Sequence, residues 1–321
     1  MTNFYGQYIG FGSGTAAASG GGYYGTRGLT AGGYAYPSPS SNKINYITIA
    51  SAGDAEEFGT LLQAKRTTDG LSNGSGGRGL NASGSNTTPA HFIEIEYVTI
   101  ATTMTALSFG DLTMPRNGTQ AMMDGTYGLF CGGYSGLSPD ERVEMDKVNV
   151  ASTGDATAWG EMTTPGSFGD CVMNGTIGLI AGIGNVPGGY AQNLIQTNTI
   201  ATDANAADWN SNLYHAGYQL GATSSDETLG RGIWHGRADD SSNVMQYVTI
   251  ASSADSQDFG NLVNGSKGGW GNQNGVRGVM MRGAWLPSNE MNWVTMASIG
   301  DADDFGNLTF GTNNAGGMSG D

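Results

Sequence analysis

The chain contains 321 residues, and its 13 Lys and Arg residues against 28 Asp and Glu residues give a formal net charge of −15. This acidity repels a phosphate backbone, and the chain has no run of about 18 apolar residues, so we expect neither nucleic-acid binding nor membrane insertion. The 55 glycines and 8 prolines follow no Gly-X-Y period, which excludes a collagen-like fold and indicates many turns.

The cysteine content and the N-terminus give no indication of export. Cys131 and Cys171 are the only cysteines, which is too few for a disulfide framework, and we expect both to be small buried residues. The N-terminus lacks the basic region and the apolar run of a conventional secretion signal. We therefore expect the protein to be made and assembled in a cytoplasm.

Residues 1–24 match no part of the repeat that fills the remaining chain, and we interpret them as an N-terminal arm. The Gly, Ala and Ser content between residues 10 and 22 is typical of a flexible linker. Four aromatic residues of the arm, Phe4, Tyr5, Tyr8 and Phe11, are candidates for burial against a partner or against the body. The alternative interpretation is a frayed terminus. Residues 25–321 are predicted to form one domain.

One motif occurs six times along this domain, beginning with ITIASAGDAEEFG at residues 47–59. In each copy an alternating apolar run ends on an alanine, the anchor, and an aromatic residue follows eight positions later. The six pairs are Ala50/Phe58, Ala101/Phe109, Ala151/Trp159, Ala201/Trp209, Ala251/Phe259 and Ala297/Phe305. The alternation predicts strands, and spacings of 51, 50, 50, 50 and 46 residues between anchors fall in the range of kelch-type propeller blades.

A second landmark, a glycine followed by an aliphatic residue, repeats out of phase with the first. It occurs at Gly28, Gly79, Gly128, Gly178, Gly232 and Gly278. After the last anchor the next copy would fall near residue 324, beyond residue 321, so we expect Gly28 to supply the missing element. The sequence therefore predicts an all-β, six-bladed, kelch-like β-propeller of four-stranded blades, closed by a 1+3 arrangement of the N- and C-terminal strands.

Alignment of the copies predicts where the strands lie. In one complete blade they are expected at residues 119–123, 127–131, 144–150 and around 159–162. In the shared blade, residues 314–319 are expected to form the first strand, and residues 28–34, 43–49 and 58–62 the other three.

The repeated motif is interpreted as a turn followed by an aromatic wedge. We expect the aromatic residues to begin the fourth strand and to pack between neighbouring blades. The fourth position after the anchor is Asp54, Asp155, Asn205, Asp255 and Asp301, with Thr105 as the exception. We expect these side chains to accept backbone N–H groups and hold the turn, and the alternative is a metal-binding or catalytic series of carboxylates.

The sequence contains no recognisable catalytic or cofactor motif. His91, His215 and His235 share no metal-ligand spacing, and no nucleophile elbow or phosphate-binding loop is present. Asp301-Ala-Asp303-Asp304 has some features of a calcium loop but lacks the glycine and the glutamate of an EF-hand. We therefore expect a protein that is not an enzyme and has no cofactor, with a calcium site as the alternative.

Two further residue sets have alternative interpretations. Four glycines of the second landmark are preceded by an arginine: Arg27, Arg78, Arg231 and Arg277. These arginines are candidates for an anion site in the channel or, preferably, for ion pairs with the turn aspartates. Trp234 and Trp270 belong to a Trp-rich part of the last two repeats. They are candidates for binding a glycan, with packing in the core as the favoured alternative.

The domain resembles kelch-type propellers, with the doublets Gly32-Gly33 and Gly132-Gly133, although the doublet is missing from the other repeats. The phrases YVTIASSADSQDFGNL at 247–262 and WVTMASIGDADDFGNL at 293–308 resemble repeats of propeller proteins from tailed bacteriophages of aquatic bacteria. The opening GQYIGFGSG is similar to the start of such proteins. In that family these propellers are structural components of the virion.

The resemblance implies a virion structural protein that acts as a rigid adaptor or decoration on the tail or an appendage. Its expected partners are other virion proteins and copies of itself. The alternative function is a module of a tail fibre that binds a glycan receptor on the host surface. A propeller enzyme is disfavoured, because the resemblance carries over no catalytic residue.

Overall fold

The computed structural model describes residues 23–35, 38–86, 91–184, 192–238, 241–284 and 286–321. These residues form 24 strands in six antiparallel sheets of four strands each, arranged as a six-bladed β-propeller. The predicted fold class and blade number are confirmed. The arm residues Phe4, Tyr5, Tyr8 and Phe11 lie outside the described residues.

The first strand of each blade lines the central channel, and the fourth strand lies at the rim. Blade 1 contains β24 (Gly316–Gly320), β1 (Arg27–Ala31), β2 (Ser41–Thr48) and β3 (Glu56–Lys65). Blade 2 contains β4 (Asp69–Ser72), β5 (Arg78–Ala82), β6 (Glu94–Thr99) and β7 (Leu107–Asp111). Blade 3 contains β8 (Gln120–Met123), β9 (Tyr127–Cys131), β10 (Glu144–Asn149) and β11 (Thr157–Glu161).

Blade 4 contains β12 (Asp170–Met173), β13 (Ile177–Ala181), β14 (Gln192–Thr199) and β15 (Ala207–Gly217). Blade 5 contains β16 (Gly221–Ser224), β17 (Arg231–His235), β18 (Val244–Thr249) and β19 (Gln257–Asn261). Blade 6 contains β20 (Trp270–Gln273), β21 (Arg277–Met281), β22 (Ser288–Thr295) and β23 (Asp303–Thr312).

The ring closes in blade 1, where the C-terminal strand β24 pairs with β1. The pairing is antiparallel and places Gly28 opposite Ser319 and Leu29 opposite Met318. This is the predicted 1+3 closure. Turns between the first and second strands and between the third and fourth strands lie on one side of the disc, which we call the turn face. The remaining connections lie on the opposite side, the loop face.

Each strand-two glycine makes room for the blade before it. A Cβ atom placed on Gly28 would lie 2.8 Å from the Cβ of Asn272, and one on Gly128 would lie 2.5 Å from Leu71. Both neighbours are the third residue of the preceding inner strand. The second landmark of the sequence is therefore explained by close approach between blades.

The turn after each anchor hydrogen-bonds to the fourth strand of the preceding blade. Gly154 N–H donates to Phe109 O at 2.8 Å, and Ala156 N–H donates to Asp111 O at 2.8 Å. The repeated motif therefore joins blades.

The aromatic residue of each motif shares a hydrophobic cluster with the third strand of the next blade. Phe58 lies with Val98 and Ile100 of blade 2. The other five pack in the same way: Phe109 with Val148 and Val150, Trp159 with Ile200, Trp209 with Val248 and Ile250, Phe259 with Val294 and Met296, and Phe305 with Ile47 and Ile49. Trp159 is only half-buried, and it also donates its indole N–H to Asp203 O of the next blade at 2.7 Å.

The expectation that these aromatic residues begin the fourth strand is wrong. Phe58, Phe109, Trp159, Trp209, Phe259 and Phe305 are each the third residue of that strand. The two residues before each aromatic already pair with the third strand, as Thr157 does with Lys147 and Ala158 with Asp146.

The aromatic residue itself is left out of the strand pairing. The register passes from Gly160 to Ala158, so Trp159 is the extra residue of a β-bulge. Phe58, Phe109, Phe259 and Phe305 occupy the same bulge position, and Trp209 lies in a wider irregularity. The bulge bends the strand at the position from which the ring packs on the next blade.

The Asx side chains of these turns act differently from the prediction. Each accepts an N–H from the preceding blade and not from its own turn. The pairs are Asp54 with Asn307 (2.9 Å), Asp155 with Asp111 (3.0 Å), Asn205 with Glu161 (3.0 Å), Asp255 with Asn212 (2.8 Å) and Asp301 with Asn261 (2.9 Å). The expectation that they accept backbone N–H groups is confirmed, but the donor belongs to the fourth strand of the preceding blade, which lies against the turn, and not to the turn itself.

A set of buried polar side chains makes a second contact between blades that the sequence analysis missed. Each lies five residues before an anchor and accepts an N–H from the fourth strand of the preceding blade or from the residues directly after that strand. The pairs are Asn45 with Thr309, Glu96 with Leu62, Asp146 with Thr113, Gln196 with Thr163, Gln246 with His215 and Asn292 with Val263.

Two of these acceptors are charged, and each is paired with a buried cation. Lys65 Nζ lies 3.0 Å from Glu96 Oε1, and Arg116 Nη2 lies 2.8 Å from Asp146 Oδ2, with all four side chains buried. Burial lowers the pKa of Lys65, and the carboxylate of Glu96 opposes that effect. In each pair the two charges compensate each other, because water does not reach either of them.

Replacing Lys65 with Met is expected to destabilise the protein by about 3–5 kcal/mol, because Glu96 is left as an uncompensated buried charge. The double variant Lys65→Met with Glu96→Gln is expected to recover most of this loss. It copies the neutral amide at Gln196 and keeps an acceptor for Leu62 N–H. Denaturant unfolding of both variants measures the effect. Equal instability of the single and double variants would contradict this account.

Replacing Gly160 with Ala is expected to cost about 1–3 kcal/mol, because the added methyl group overlaps the carbonyl oxygen of Ala204 in the next blade. Gly53→Ala is the matched control, since no atom lies within 4 Å of a Cβ placed there. Denaturant unfolding should leave the control near the wild-type value. A similar loss in both variants would show that close approach is not the cause.

Candidate functional site

Six residues, one from each inter-blade link, form a closed ring of backbone hydrogen bonds around the axis at the loop face. We call them the axial ring: Thr67, Gly118, Phe168, Gln219, Gly268 and Asn314. Each N–H donates to the carbonyl of the preceding member, at 2.7 to 3.0 Å, and the ring closes from Thr67 N to Asn314 O at 2.9 Å. Every member has positive φ, between 49° and 64°.

Four members of the axial ring are not glycine, although this conformation favours glycine. Thr67 is β-branched and has φ of 53°, and Phe168 has φ of 62°. Such backbone costs about 1–3 kcal/mol per residue and is maintained only where the surroundings enforce it. The ring therefore holds four side chains at the mouth of the channel at an energetic cost.

The two glycines of the ring accommodate their larger neighbours. A Cβ on Gly118 would lie 2.7 Å from Cδ1 of Phe168, and the corresponding position on Gly268 is occupied by Asn314. The ring of Phe168 thus lies over Gly118. Above these glycines and side chains the channel mouth widens into an open space.

Above the axial ring lies a cavity of about 500 Å³, which we call the funnel. Its wall carries Tyr34, Ser85, His91, Tyr134 and Ala284 from the loops between second and third strands, and Arg66, Asn117, Lys267 and Asn313 from the links between blades. Its floor carries Thr67, Phe168, Gln219 and Asn314. Of the residues that define the repeat, none lines this cavity.

Contacts within the wall orient its polar groups. Asn117 Nδ2 donates to Nδ1 of His91 at 2.9 Å, and the His91 ring meets the Tyr134 ring edge-on at 5.5 Å. Burial lowers the pKa of His91, so this imidazole is neutral at pH 7. In the adjacent part of the wall, the guanidinium of Arg66 lies 5.7 Å from the centre of the Tyr34 ring.

Beneath the axial ring the channel is narrow and contains two carboxyl groups. Asp69 accepts the N–H of Gly70 at 2.7 Å and also that of Ala121, and Asp170 accepts those of Cys171 and Ala222, both at 2.7 Å. The free volume here is about 40 Å³, enough for very few water molecules. Burial raises the pKa of both carboxyl groups, and the charge of Asp69 raises that of Asp170 further.

Tyr23 lies at the turn-face end of the channel. Its side chain is fully buried, packs beside Gly175, and its hydroxyl donates to the carbonyl of Ser225. The next residue, Tyr24, donates its hydroxyl to Glu227 at 3.1 Å. The last two residues of the predicted arm therefore contact the propeller.

The tryptophans proposed for glycan binding are buried. Trp234 is 0% exposed and donates its indole N–H to Asp170 O at 3.1 Å, and Trp270 is 3% exposed and donates to Thr30 Oγ1 at 3.0 Å. Neither ring is presented to a ligand at the surface, so a glycan site on these residues is ruled out. The packing alternative describes them correctly, as it does the buried free Cys131 and Cys171.

The four Arg-Gly arginines neither line the channel nor form ion pairs with the turn aspartates. Each stacks on an aromatic ring of its own blade, as Arg27 does on Tyr46 at 4.6 Å, and Arg277 on Trp293 at 3.7 Å. Each also donates to a carbonyl near the anchor of the next blade, as Arg27 does to Ile100 O at 3.0 Å. Both predicted roles are wrong, because the neighbouring strand end offers carbonyl acceptors within reach of each guanidinium.

Blade 3 keeps this cation–aromatic pair with the two positions exchanged. Tyr127 stands where blades 1, 2, 5 and 6 have arginine, and Lys147 stands where those four blades have the aromatic residue. Blade 4 has Ile177 and Thr197 at the two positions. The ammonium of Lys147 lies 4.1 Å from the Tyr127 ring centre and donates to Ala201 O of the next blade at 3.0 Å. Five of the six blades therefore have a cation–aromatic pair at these two positions, with the cation on either strand.

The described residues contain no group of three or more His, Cys, Asp or Glu side chains that could hold a metal ion. In the proposed calcium loop, Asp301 is directed to Asn261 of the preceding blade. Within the same described ranges, no helix has the length and apolarity needed to cross a membrane.

These features define a six-bladed propeller in which the turn face repeats from blade to blade, whereas the connections of the loop face differ between blades. The fold suggests a scaffold for protein–protein interaction. No protein-family model matches the sequence, and no curated protein matches it.

Replacing Asp69 with Asn is expected to change how stability depends on pH. Because the folded-state pKa of both channel carboxyls is raised above the usual 3.8, wild-type stability falls as pH rises above about 4 through the folded-state values. The variant removes one charge, and we expect a gain of about 1–2 kcal/mol at pH 8 and little gain at pH 4. Denaturant unfolding at both values tests this, with the exposed Asp303→Asn as control. A gain independent of pH would contradict it.

Proposed function

We propose that this protein is a structural component of a tailed-bacteriophage particle, in which the propeller acts as a rigid interaction scaffold. The observation that carries the proposal is the polarity of the molecule along its axis. Tyr23 is buried at the turn-face end of the channel, so the preceding arm is tethered there. The funnel and the loops that differ between blades lie at the opposite end.

Rigidity supports the same proposal. Each blade is joined to the next by backbone hydrogen bonds, by a buried polar acceptor and by an aromatic wedge. The pairing of β24 with β1 closes the circle of blades, so the sheets leave their outer strands as edges only at the rim. A disc of this kind keeps a fixed distance and orientation between a partner at one face and a partner at the other.

The phage assignment is supported by the resemblance of the repeat phrases at 247–262 and 293–308. On this proposal the protein is assembled in the host cytoplasm and resides in the virion, as a tail or appendage adaptor or decoration. Its partners are other virion proteins and copies of itself, and it is not an enzyme. The arm residues Phe4, Tyr5, Tyr8 and Phe11 contribute the contact at the tethered end.

Particles purified from a culture infected with the phage that encodes the gene are expected to contain the full-length protein. A variant lacking residues 2–21, which keeps Tyr23, is expected to fold and to be absent from the particles. Replacing Phe4, Tyr5, Tyr8 and Phe11 with Ser should have the same effect. Mass spectrometry of the particles measures incorporation.

Two results would contradict the proposal at different points. Absence of the full-length protein from purified particles would refute a place in the virion. Equal incorporation of the shortened and full-length proteins would refute anchoring by the arm and leave the propeller surface as the attachment site.

A further inference from the structure

We propose that the funnel binds a carboxylate-bearing saccharide. This inference goes beyond the scaffold function and does not depend on it, since it concerns the isolated propeller and a ligand rather than a place in a particle. It rests on the size of the cavity, its charge, its unpaired acceptors and its aromatic rings.

The funnel has the dimensions of a small-ligand site. Its volume of about 500 Å³ lies within the range of roughly 300–1,000 Å³ that such sites occupy. It is closed below by the axial ring and open to solvent at the loop face, so a ligand enters from one direction only. A cavity of this size accepts one or two sugar rings, whereas a folded protein domain would contact only its rim.

The charge of the funnel is opposite to that of the chain. Among the residues that the structure describes, the lining includes Arg66 and Lys267 and no Asp or Glu, in a protein whose formal charge is −15. Arg66 is half-buried and forms no ion pair with any described residue; its guanidinium lies against Tyr34. Concentrating positive charge in a concave site of an acidic protein favours an anionic ligand group.

Two acceptors of the wall and floor lack a donor among the described residues. They are Oδ1 of Asn117, a residue that is 7% exposed, and Oε1 of Gln219 in the axial ring. Buried acceptors without a donor are costly, and a saccharide hydroxyl group supplies the missing donor once rotation of the amide turns its oxygen into the funnel. A simple inorganic anion would satisfy the cations and leave these acceptors unpaired.

Aromatic rings complete the site. Tyr34, Tyr134 and Phe168 are partly exposed and line the cavity on different sides. Phe168 is held there by a left-handed backbone that its own side chain disfavours. Aromatic faces pack against the C–H groups of a pyranose ring, while the amides and cations engage its hydroxyl and carboxylate groups.

The test measures binding of the full-length protein to short oligomers of galacturonate, glucuronate, guluronate and N-acetylneuraminate by titration calorimetry. Matched neutral galactose oligomers and a Glu-rich peptide are the comparison ligands. We expect at least one acidic oligomer to bind at least about tenfold more tightly than its neutral counterpart. The same preference should weaken as salt is added.

Three variants locate the site. Arg66→Ala is expected to weaken binding of the acidic oligomer about tenfold, whereas Lys43→Ala, which removes an exposed cation on the outer surface, should leave it unchanged. Gln219→Gly copies the residue of the ring at Gly118 and Gly268 and relieves a positive φ. It is expected to weaken binding severalfold without lowering the melting temperature, a combination that a purely structural role would not produce.

Several outcomes would overturn the inference. It fails if none of the acidic oligomers binds at millimolar concentration, if neutral and acidic oligomers bind equally, or if Arg66→Ala and Lys43→Ala behave alike. Binding of the Glu-rich peptide in place of the sugars would replace it with a protein ligand. None of these results bears on incorporation into particles, so the scaffold function is tested separately.

Discussion

The fold depends on the contact between the fourth strand of one blade and the anchor turn of the next. A single four-stranded sheet cannot bury both of its faces, so each blade is stable only when its neighbours cover it. At this contact an aromatic residue packs into the next blade, an Asx side chain accepts a backbone N–H, and a glycine such as Gly160 removes the Cβ that would keep the two chains apart. The contact is heterologous and is therefore satisfied at every blade only if the ring closes, which the pairing of β24 with β1 accomplishes.

This contact also determines where function can lie. The polar groups of the repeated residues at the turn face and the blade interfaces are already hydrogen-bonded within the propeller, so they are not available to a ligand. Asp54 and its equivalents are an example, since each carboxylate or amide is bonded to a neighbouring strand. The connections of the loop face are free from that constraint and differ between blades. The axial ring is formed where these connections meet, and its backbone holds side chains of four different kinds at the centre of the loop face.

Most of the fold follows from the sequence, because one period imposes blade number, strand order and closure together. The predicted strand at 127–131 coincides with β9, whereas the strand predicted around 159–162 begins two residues earlier, in β11, because the two residues before the bulge still pair with β10. The partners of the polar side chains could not be predicted. The sequence does not show whether a turn aspartate bonds within its own turn or to a strand some 40 residues away. The packing of the blades determines which backbone N–H group is its donor. The burial of Trp234 could be predicted by aligning the repeats, because the equivalent position in the second strand of each blade is buried. The funnel could not be predicted, because its residues come from connections that share no motif. Gly118 and Gly268 were the one local signal of the axial ring.

The axis of the propeller combines two opposite solutions to the same problem. The inner strands present unpaired edges to the channel, and a buried N–H without a partner is costly. In the channel, Asp69 and Asp170 accept N–H groups from the next inner strand, at the cost of placing two carboxyl groups in a space too narrow to hydrate them. At the loop face, the axial ring pairs its own N–H and carbonyl groups in a circle and needs no side chain for this purpose. The axial ring pairs its backbone groups without help from side chains. The fold therefore does not require particular side chains at Thr67, Phe168, Gln219 and Asn314, and these four positions on the floor of the funnel can vary to suit a ligand.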